Sequence, residues 1–542
     1  MSLSTQIFII NNIKIPINAS QSEAFSIAKS RLRKLRIGDV DVKLQVHRRS
    51  VDARRKSDIK FVYSIAAVGD FPKISESKLL DSDITVLKDI TIGDINTGTD
   101  RLFAPPLIVG AGPAGLFSAL FLAERGYKPV VLERGGSIRD RKRAVLEFYK
   151  THILDERTNI QFGAGGAGTF SDGKLVTRIN DPLSSYVLGK FVEYGAPEEI
   201  LYLARPHIGT DVLSPVIERI TEKIEELGGK LHYHTQYLRS ARKCGVNIAI
   251  TDKGEVPYGA LVLAIGHSAR DTYNTLISDG FSLEGKPFSV GMRIEHLADD
   301  IDKALYGDYA GNKNLGRAEY NLSFNTKVRG VYTFCMCPGG EVVAAASEEG
   351  GLVVNGMSSH SRSGRNSNSA VVCSVFKEDY GSSPALAIDF QRRIERAAFK
   401  AGGGGYTAPI ITVGDFLSDK CTTEPSRVLP TYMDGSNVKL ASCGDYFPAF
   451  VTESIKGALL DFDKKISGFA SSDAILCGAE TRTSSPVRIL RSADTRLALG
   501  TDNIYPCGEG AGYAGGITSA AIDGLKTAIA IIQRYKPYSF GG

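Results

Sequence analysis

Cysteine is scarce: eight in 542 residues, which excludes a scaffold built on disulfides. Net charge is small as well. Sixty-five Lys and Arg against 60 Asp and Glu leave +5, too little for a molecule that binds polyanions over its whole surface. The start, MSLSTQIFIINN, has no basic segment leading into a long apolar run and a small-residue cleavage site, so no secretory signal is expected. Ala104 to Ala123 carries no charge, but Pro105, Pro106, Pro113 and glycines at turn spacing exclude a membrane span. A cytoplasmic setting with reduced thiols is expected. No internal repeat and no heptad array is present. Hydrophobic residues make up 43% and charged residues 23%, a globular balance that excludes disorder and fibrous architecture. At roughly 100–200 residues per domain, the length predicts about three units. What is abundant is glycine, 57 residues in all. Glycine is useful where backbone must approach a ligand closely.

The first hundred residues read as a β-α-β-β module. Gln6 to Ile17 is apolar and β-branched, Ser20 to Arg36 is helical with a capping-box pattern at Ser20 and Glu23, and Val40 to His47 alternates as a strand does. Lys60 to Val68 supplies another strand, and Asp81 to Asp100 reads as a polar connection. From Leu107 the text becomes α/β, with short apolar strands at Leu107–Val109, Pro129–Leu132, Ala260–Ile265 and Asn503–Pro506. Residues 286 to 480 read as a mainly β insertion with helices.

Gly110-Ala111-Gly112-Pro113-Ala114-Gly115 is a GxGxxG that follows an apolar strand and opens a helix. Gly110 permits the sharp turn, Gly112 lets backbone N–H groups reach a pyrophosphate, and Gly115 allows close helix–strand packing. The helix start then offers free N–H donors and a positive dipole end. Glu133 closes the next strand, where an acid accepts from ribose hydroxyls. No second GxGxxG and no CxxC pair follow, so one dinucleotide is encoded, not two.

The ending Glu133-Arg134-Gly135 resembles flavoprotein monooxygenases and dehydrogenases, which bind the adenosine half of FAD there. Leu261 to Gly266 resembles the strand and glycine that pass near the cofactor. Asn503 to Gly510, with Gly508 and Glu509, resembles the strand-Gly-acid motif that holds the ribityl-pyrophosphate part. Gly515, Gly516 and Ile517 open a last helix, whose positive end in that architecture faces the N1–C2=O edge of the flavin. Residues 105 to 535 closely resemble the FAD-dependent dehydrogenases labelled NAD(FAD)-utilising dehydrogenases. The match includes Asn159 to Leu175, Pro206 to Asp211, Cys335 to Gly340, Thr481 to Pro486 and Gly508 to Ile517. The N-terminal module, with Val51-Asp52-Ala53-Arg54, looks like this family's too. The resemblance implies a fold and FAD, and no substrate. An acid is expected where Ala164 stands, so any contact it makes is missing here.

The loop Phe162 to Leu175 is Gly-rich and polar, suited to wrapping a cofactor through backbone amides. Gly165, Gly166, Gly168, Thr169, Ser171 and Lys174 are its candidates. Cys337 of the pair Cys335/Cys337 and His207 are the catalytic candidates, as thiol and general acid–base, although buried structural roles are commoner for both types. Arg482 and Arg488 could orient an anionic substrate or form structural ion pairs. Cys443-Gly444-Asp445 imitates the strand-Gly-acid motif without a helix start after it. No metal site is expected.

Lys29 to Lys60 holds 12 Lys and Arg against 4 Asp and Glu, a local surplus that leaves the remainder slightly acidic. A solvated face is the plain reading and polyanion binding the sharper one; nucleic acid is not expected as a partner. The whole reads as an α/β protein. It has a Rossmann-like FAD-binding domain (104–285 and 481–542), an inserted mixed α+β domain (286–480) and a small N-terminal ferredoxin-like α+β domain (1–95). The expected activity is an FAD-dependent oxidoreductase on an unknown small molecule, with NAD(P)H open as electron donor. The alternative is an RNA- or partner-binding flavoprotein recruited through the basic module.

Overall fold

The computed structural model describes residues 3–34, 42–72, 79, 83–87, 95–176, 181–326 and 328–538. Positions 35–41 and 88–94, which the sequence assigns to a helix end, a strand start and the connection, lie outside the described residues.

Strands Leu3–Pro16, Lys43–Asp52, Lys60–Pro72 and Ile84–Leu87 form one antiparallel sheet. Leu3–Pro16 lies inside it, between Lys60–Pro72 and Ile84–Leu87. Helix Gln21–Lys34 buries Ala24, Ala28 and Leu32, a stripe at i, i+4 spacing. Ile84–Leu87 corrects the reading of Asp81 to Asp100 as connection alone. Four residues carry little pattern of their own, and the strand exists because Ile7 to Ile10 offers an edge to pair with. The apolar core under this sheet runs on without a break into that of the insertion. Arg49 stitches the module to the segment 202–204: its N–H donates to the Tyr202 carbonyl at 2.7 Å, and its own carbonyl accepts from Ala204 at 2.9 Å.

A five-stranded parallel sheet follows, in the order Ile504–Pro506, Leu261–Leu263, Leu107–Val109, Val130–Leu132, Lys230–His232. Its central triplets are apolar throughout because both faces are covered. Helix Pro113–Ala123 lies between this sheet and helix Ile517–Arg534. It is therefore buried nearly all round and lacks helical periodicity. Tyr237–Lys243, Val246–Thr251 and Gly254–Pro257 add a small antiparallel sheet.

The insertion is built on seven strands, in the order Ser323–Asn325, Gly330–Cys337, Asn366–Val375, Phe288–Leu297, Ile475–Glu480, Ala408–Thr412, Val438–Leu440. A hairpin, Glu341–Ala344 with Val354–Met357, packs beside it. Among the described residues no helix is long and apolar enough to cross a membrane.

Candidate functional site

Strand Leu107–Val109 ends at Gly110, whose φ of +101° suits glycine alone, and a Cβ there would stand 2.3 Å from the Ala264 carbonyl oxygen. A Cβ on Gly115 would stand 1.9 Å from the Gly110 carbonyl oxygen. The turn therefore folds tightly against its own helix and the next strand. Gly110, Gly112, Pro113 and Ala114 face a cavity, and Gly115 sits behind them. The first N–H groups of helix Pro113–Ala123 point the same way.

Glu133 is buried and ties three turns together. Its carboxylate accepts from the N–H groups of Ala111 at 2.8 Å, Gly135 at 2.9 Å and Gly163 at 3.0 Å. A carboxylate has about four lone-pair sites, so one remains for a ligand hydroxyl on the cavity side. Arg134 lies 4.4 Å over the Phe162 ring and donates to Asp271 and Thr272.

The Gly-rich loop is held from behind by Arg141 of helix Ile138–Thr151. This guanidinium is fully buried and donates to the carbonyls of Asn159, Ile160, Ala164 and Gly166. Gly166, Gly168, Ser171 and Lys174 of the loop reach the cavity. Gly165 and Thr169 do not: Gly165 donates back to Ala111, and Thr169 is fully buried in the wall. Ala164, where an acid was expected, is buried too.

Gly508, Glu509, Gly515, Gly516 and Ile517 close the far wall with Gly266. Asp523, on the last helix, accepts from the Gly508 N–H at 2.8 Å and is itself clamped by Arg491 and Arg496. A Cβ on Gly266 or Gly515 would meet no protein atom within 4 Å, because the space beside them is the cavity itself.

His267 is the site residue that sequence reading missed. Its side chain lines the cavity and is only 9% exposed, its Nδ1 lies 3.0 Å from Glu509, and among the described residues its Nε2 is buried without a partner. Its position after Gly266 was legible, but nothing local announced the meeting with Glu509.

The catalytic candidates fare differently. His207 is not at the cavity. Its ring stacks on His360 at 5.2 Å and its Nε2 meets the His360 carbonyl at 3.1 Å, so it braces two loops. Cys337 touches the cavity wall but is buried, and its thiol donates to the Cys335 carbonyl at 3.3 Å. Burial pushes the Cys337 thiol up to about 11, against thiolate chemistry near neutral pH. Cys335, at φ +42° where strand Gly330–Cys337 bulges, is the cysteine whose surface opens into the cavity. Arg482 lines the cavity but is bound to Glu395, Ser268 and Ser347. Arg488 pairs with Glu284 at the surface, and Cys443–Asp445 forms a short turn away from the cavity. Among the described residues no group of three His, Cys, Asp or Glu could hold a metal ion.

Family models match three stretches: an FAD binding domain at 104–158, the C-terminal domain of FAD-dependent proteins at 287–483, and a domain of unknown function at 8–68. Over 533 residues, 97% of this chain and 98% of the other, the sequence is 45% identical to an uncharacterised protein of Clostridium beijerinckii. The chain belongs to that protein's family.

Its cofactor is FAD. The site fits this group: side-chain-free turns from both halves of the chain border one cavity, with a spare carboxylate lone pair at one wall and an orphan imidazole nitrogen at another. A thiamine thiazole synthase of Methanococcus maripaludis is 42% identical over 59 residues, 11% of this chain and 23% of that one. Glycine oxidase from Geobacillus kaustophilus gives a weak structural likeness, with TM-score 0.35 and 11% identity over 80% of this chain and 96% of that one. The basic module matches a model of no stated function, so the polyanion-binding alternative gains no support.

Proposed function

We propose that this family member is an FAD-dependent oxidoreductase acting on a small molecule, of the dehydrogenase kind its motifs resemble. One observation carries the reading: the cavity is continuous from the dinucleotide turn at Gly110 to a wall of the insertion formed by Phe334, Cys335, Asn355 and Glu480. A nucleotide-binding domain alone has no use for that second wall. Bound FAD supplies two-electron redox chemistry.

The chain's own groups do the rest. Glu133 and Arg134 hold the adenosine end, and the helix start at Pro113 receives phosphate charge. Glu509 and His267 take hydroxyls. The start of helix Ile517–Arg534 favours negative charge where it meets the cavity. Residues 104–285 and 481–542 supply the cofactor wall, 286–480 the substrate wall, and 1–95 a brace. Anaerobic titration of the yellow protein with NADH, NADPH and reduced metabolites tests the reading. At least one physiological donor is expected to bleach the visible flavin band. A flavin that dithionite reduces but no such donor does would sink it.

A further inference from the structure

The insertion wall and the adjoining loop present a set of polar groups with a bias. Lys174 has three N–H bonds. Among the described residues its one hydrogen-bond partner is Asp172, so the remaining donors are free where the side chain meets the cavity. Asp172 is saturated. It accepts from Ser358, from Lys174, and twice from Arg362 at 3.0 and 2.6 Å. Around it three cations, Lys174, Arg205 and Arg362, face two carboxylates, Asp172 and Glu319. Arg362 lies between both acids, Lys174 sits on Asp172 and Arg205 lies 3.6 Å from Glu319, so the group as a whole carries one surplus positive charge, and the Lys174 ammonium is its part at the cavity.

Asn355 adds a second donor. Its Oδ1 accepts from Arg293 at 3.2 Å and from the Gly356 N–H at 2.8 Å. Two donors on one atom fix the amide's orientation, so the NH₂ points the other way, and the residue lines the cavity. No protein acceptor among the described residues takes that NH₂. Arg293 links this group to the cysteine turn, donating at once to Asn355, to the Cys335 carbonyl and to Glu480. Ser358, the residue after strand Val354–Met357 that carries Asn355, donates to the same Asp172 that holds Lys174, which brings the ammonium to the end of that strand. The carboxylates on this wall are spent: Glu480 gives both oxygens to Arg293, and Asp172 has none left. The wall therefore offers free N–H donors and a surplus positive charge, and its carboxylates are already taken.

We infer that this wall binds a carboxylate of the substrate, held by Lys174 and Asn355, so that the substrate class is a small organic acid. This rests on the reading of the cavity as that of an FAD oxidoreductase. A charge-assisted pair at a sheltered site recognises a carboxylate and rejects its neutral amide. Lys174 is a point charge, and Asn355 adds direction.

The experiment is a spectral titration of the FAD-loaded protein with benzoate against benzamide, and pyruvate against pyruvamide. Saturable perturbation of the flavin band is expected from the acids, with the amides at least about tenfold weaker. Lys174→Met and Asn355→Asp should each lose about tenfold in benzoate affinity, and Lys174→Arg should keep much of it. Asn355→Asp keeps the acceptor that Arg293 needs and replaces only the cavity-facing donor, so it guards against a folding artefact. Amides that bind as well as acids, acids that leave the band unmoved, or variants that bind benzoate like the parent would each overturn the inference. So would a Lys174→Met protein with an altered ligand-free flavin spectrum and an unchanged preference for acids, because Lys174 would then serve the cofactor. No electron transfer is needed for this readout, so its failure is separate from failure of the oxidoreductase reading.

Discussion

His267 shows how one side chain becomes a ligand group through a distant partner. Glu509 lies 3.0 Å from Nδ1, and among the described residues Nε2 is buried without a partner on a side chain that lines the cavity. A buried polar atom without a partner costs free energy, and a cofactor hydroxyl would remove that cost. His267→Ala is expected to weaken FAD binding about tenfold, and His267→Gln to restore part of it. Fluorescence titration of the apoprotein with FAD measures both. Equal FAD affinity in parent and Ala variant would remove His267 from the cofactor site. Cys337 is the opposite case: the sequence offers a thiol, and burial then withholds its thiolate.

At the scale of elements, the position of the dinucleotide turn depends on how two helices pack. Gly524 of helix Ile517–Arg534 lies against helix Pro113–Ala123, where a Cβ would stand 2.0 Å from the Ala114 carbonyl oxygen. Backbone cannot yield there as a flexible side chain would. Gly524→Val should therefore cost about 1–3 kcal/mol of stability by overpacking and also weaken FAD, although residue 524 does not line the cavity. Urea melts and FAD titration check the two effects. Loss of stability with FAD affinity intact would mean that the turn is held by the sheet alone. These elements were legible because each motif is local: an apolar strand, a glycine turn and a helix start within a dozen residues. Ile84–Leu87 and Lys230–His232 were not legible, since each owes its strand state to an edge supplied elsewhere.

Across the whole molecule, a buried charge network joins the cofactor wall to the insertion. Glu395, fully buried in helix Pro384–Gly402, accepts from Arg270 at 2.7 Å and from Arg482 at 3.0–3.1 Å, and Arg270 also reaches Glu348. Removing one partner strands the others. Glu395→Gln should cost roughly 3–5 kcal/mol, read from denaturant melts, and a change within about 1 kcal/mol would show the network to be dispensable.

This network, through Glu348, and the separate cluster around Asp172 both set a response to acid. Burial raises the carboxyls of Glu348 and Asp172, but the neighbouring arginines and Lys174 outweigh it and hold both at about 2. Both lie below their unfolded values of about 4. Their contribution is thus complete above about pH 4 and is lost as pH falls toward 2, which thermal melts across that range would trace. Glu295, whose carboxyl burial raises, works in the opposite sense.

The amino-acid sequence by itself determined the cofactor turn, the acid after the second strand and the glycine-opened last helix, because backbone approach to a phosphate demands particular residues at fixed short spacings. Only the tertiary structure decided which polar groups meet over the cavity. His267 and Glu509 meet, and Lys174 and Asn355 line one cavity, from distant stretches of chain. The same packing took His207 away to stack on His360 and closed Cys337 into the wall. A side chain's chemistry is set by its solvation and its neighbours, and both are fixed only when the insertion folds over the dinucleotide domain.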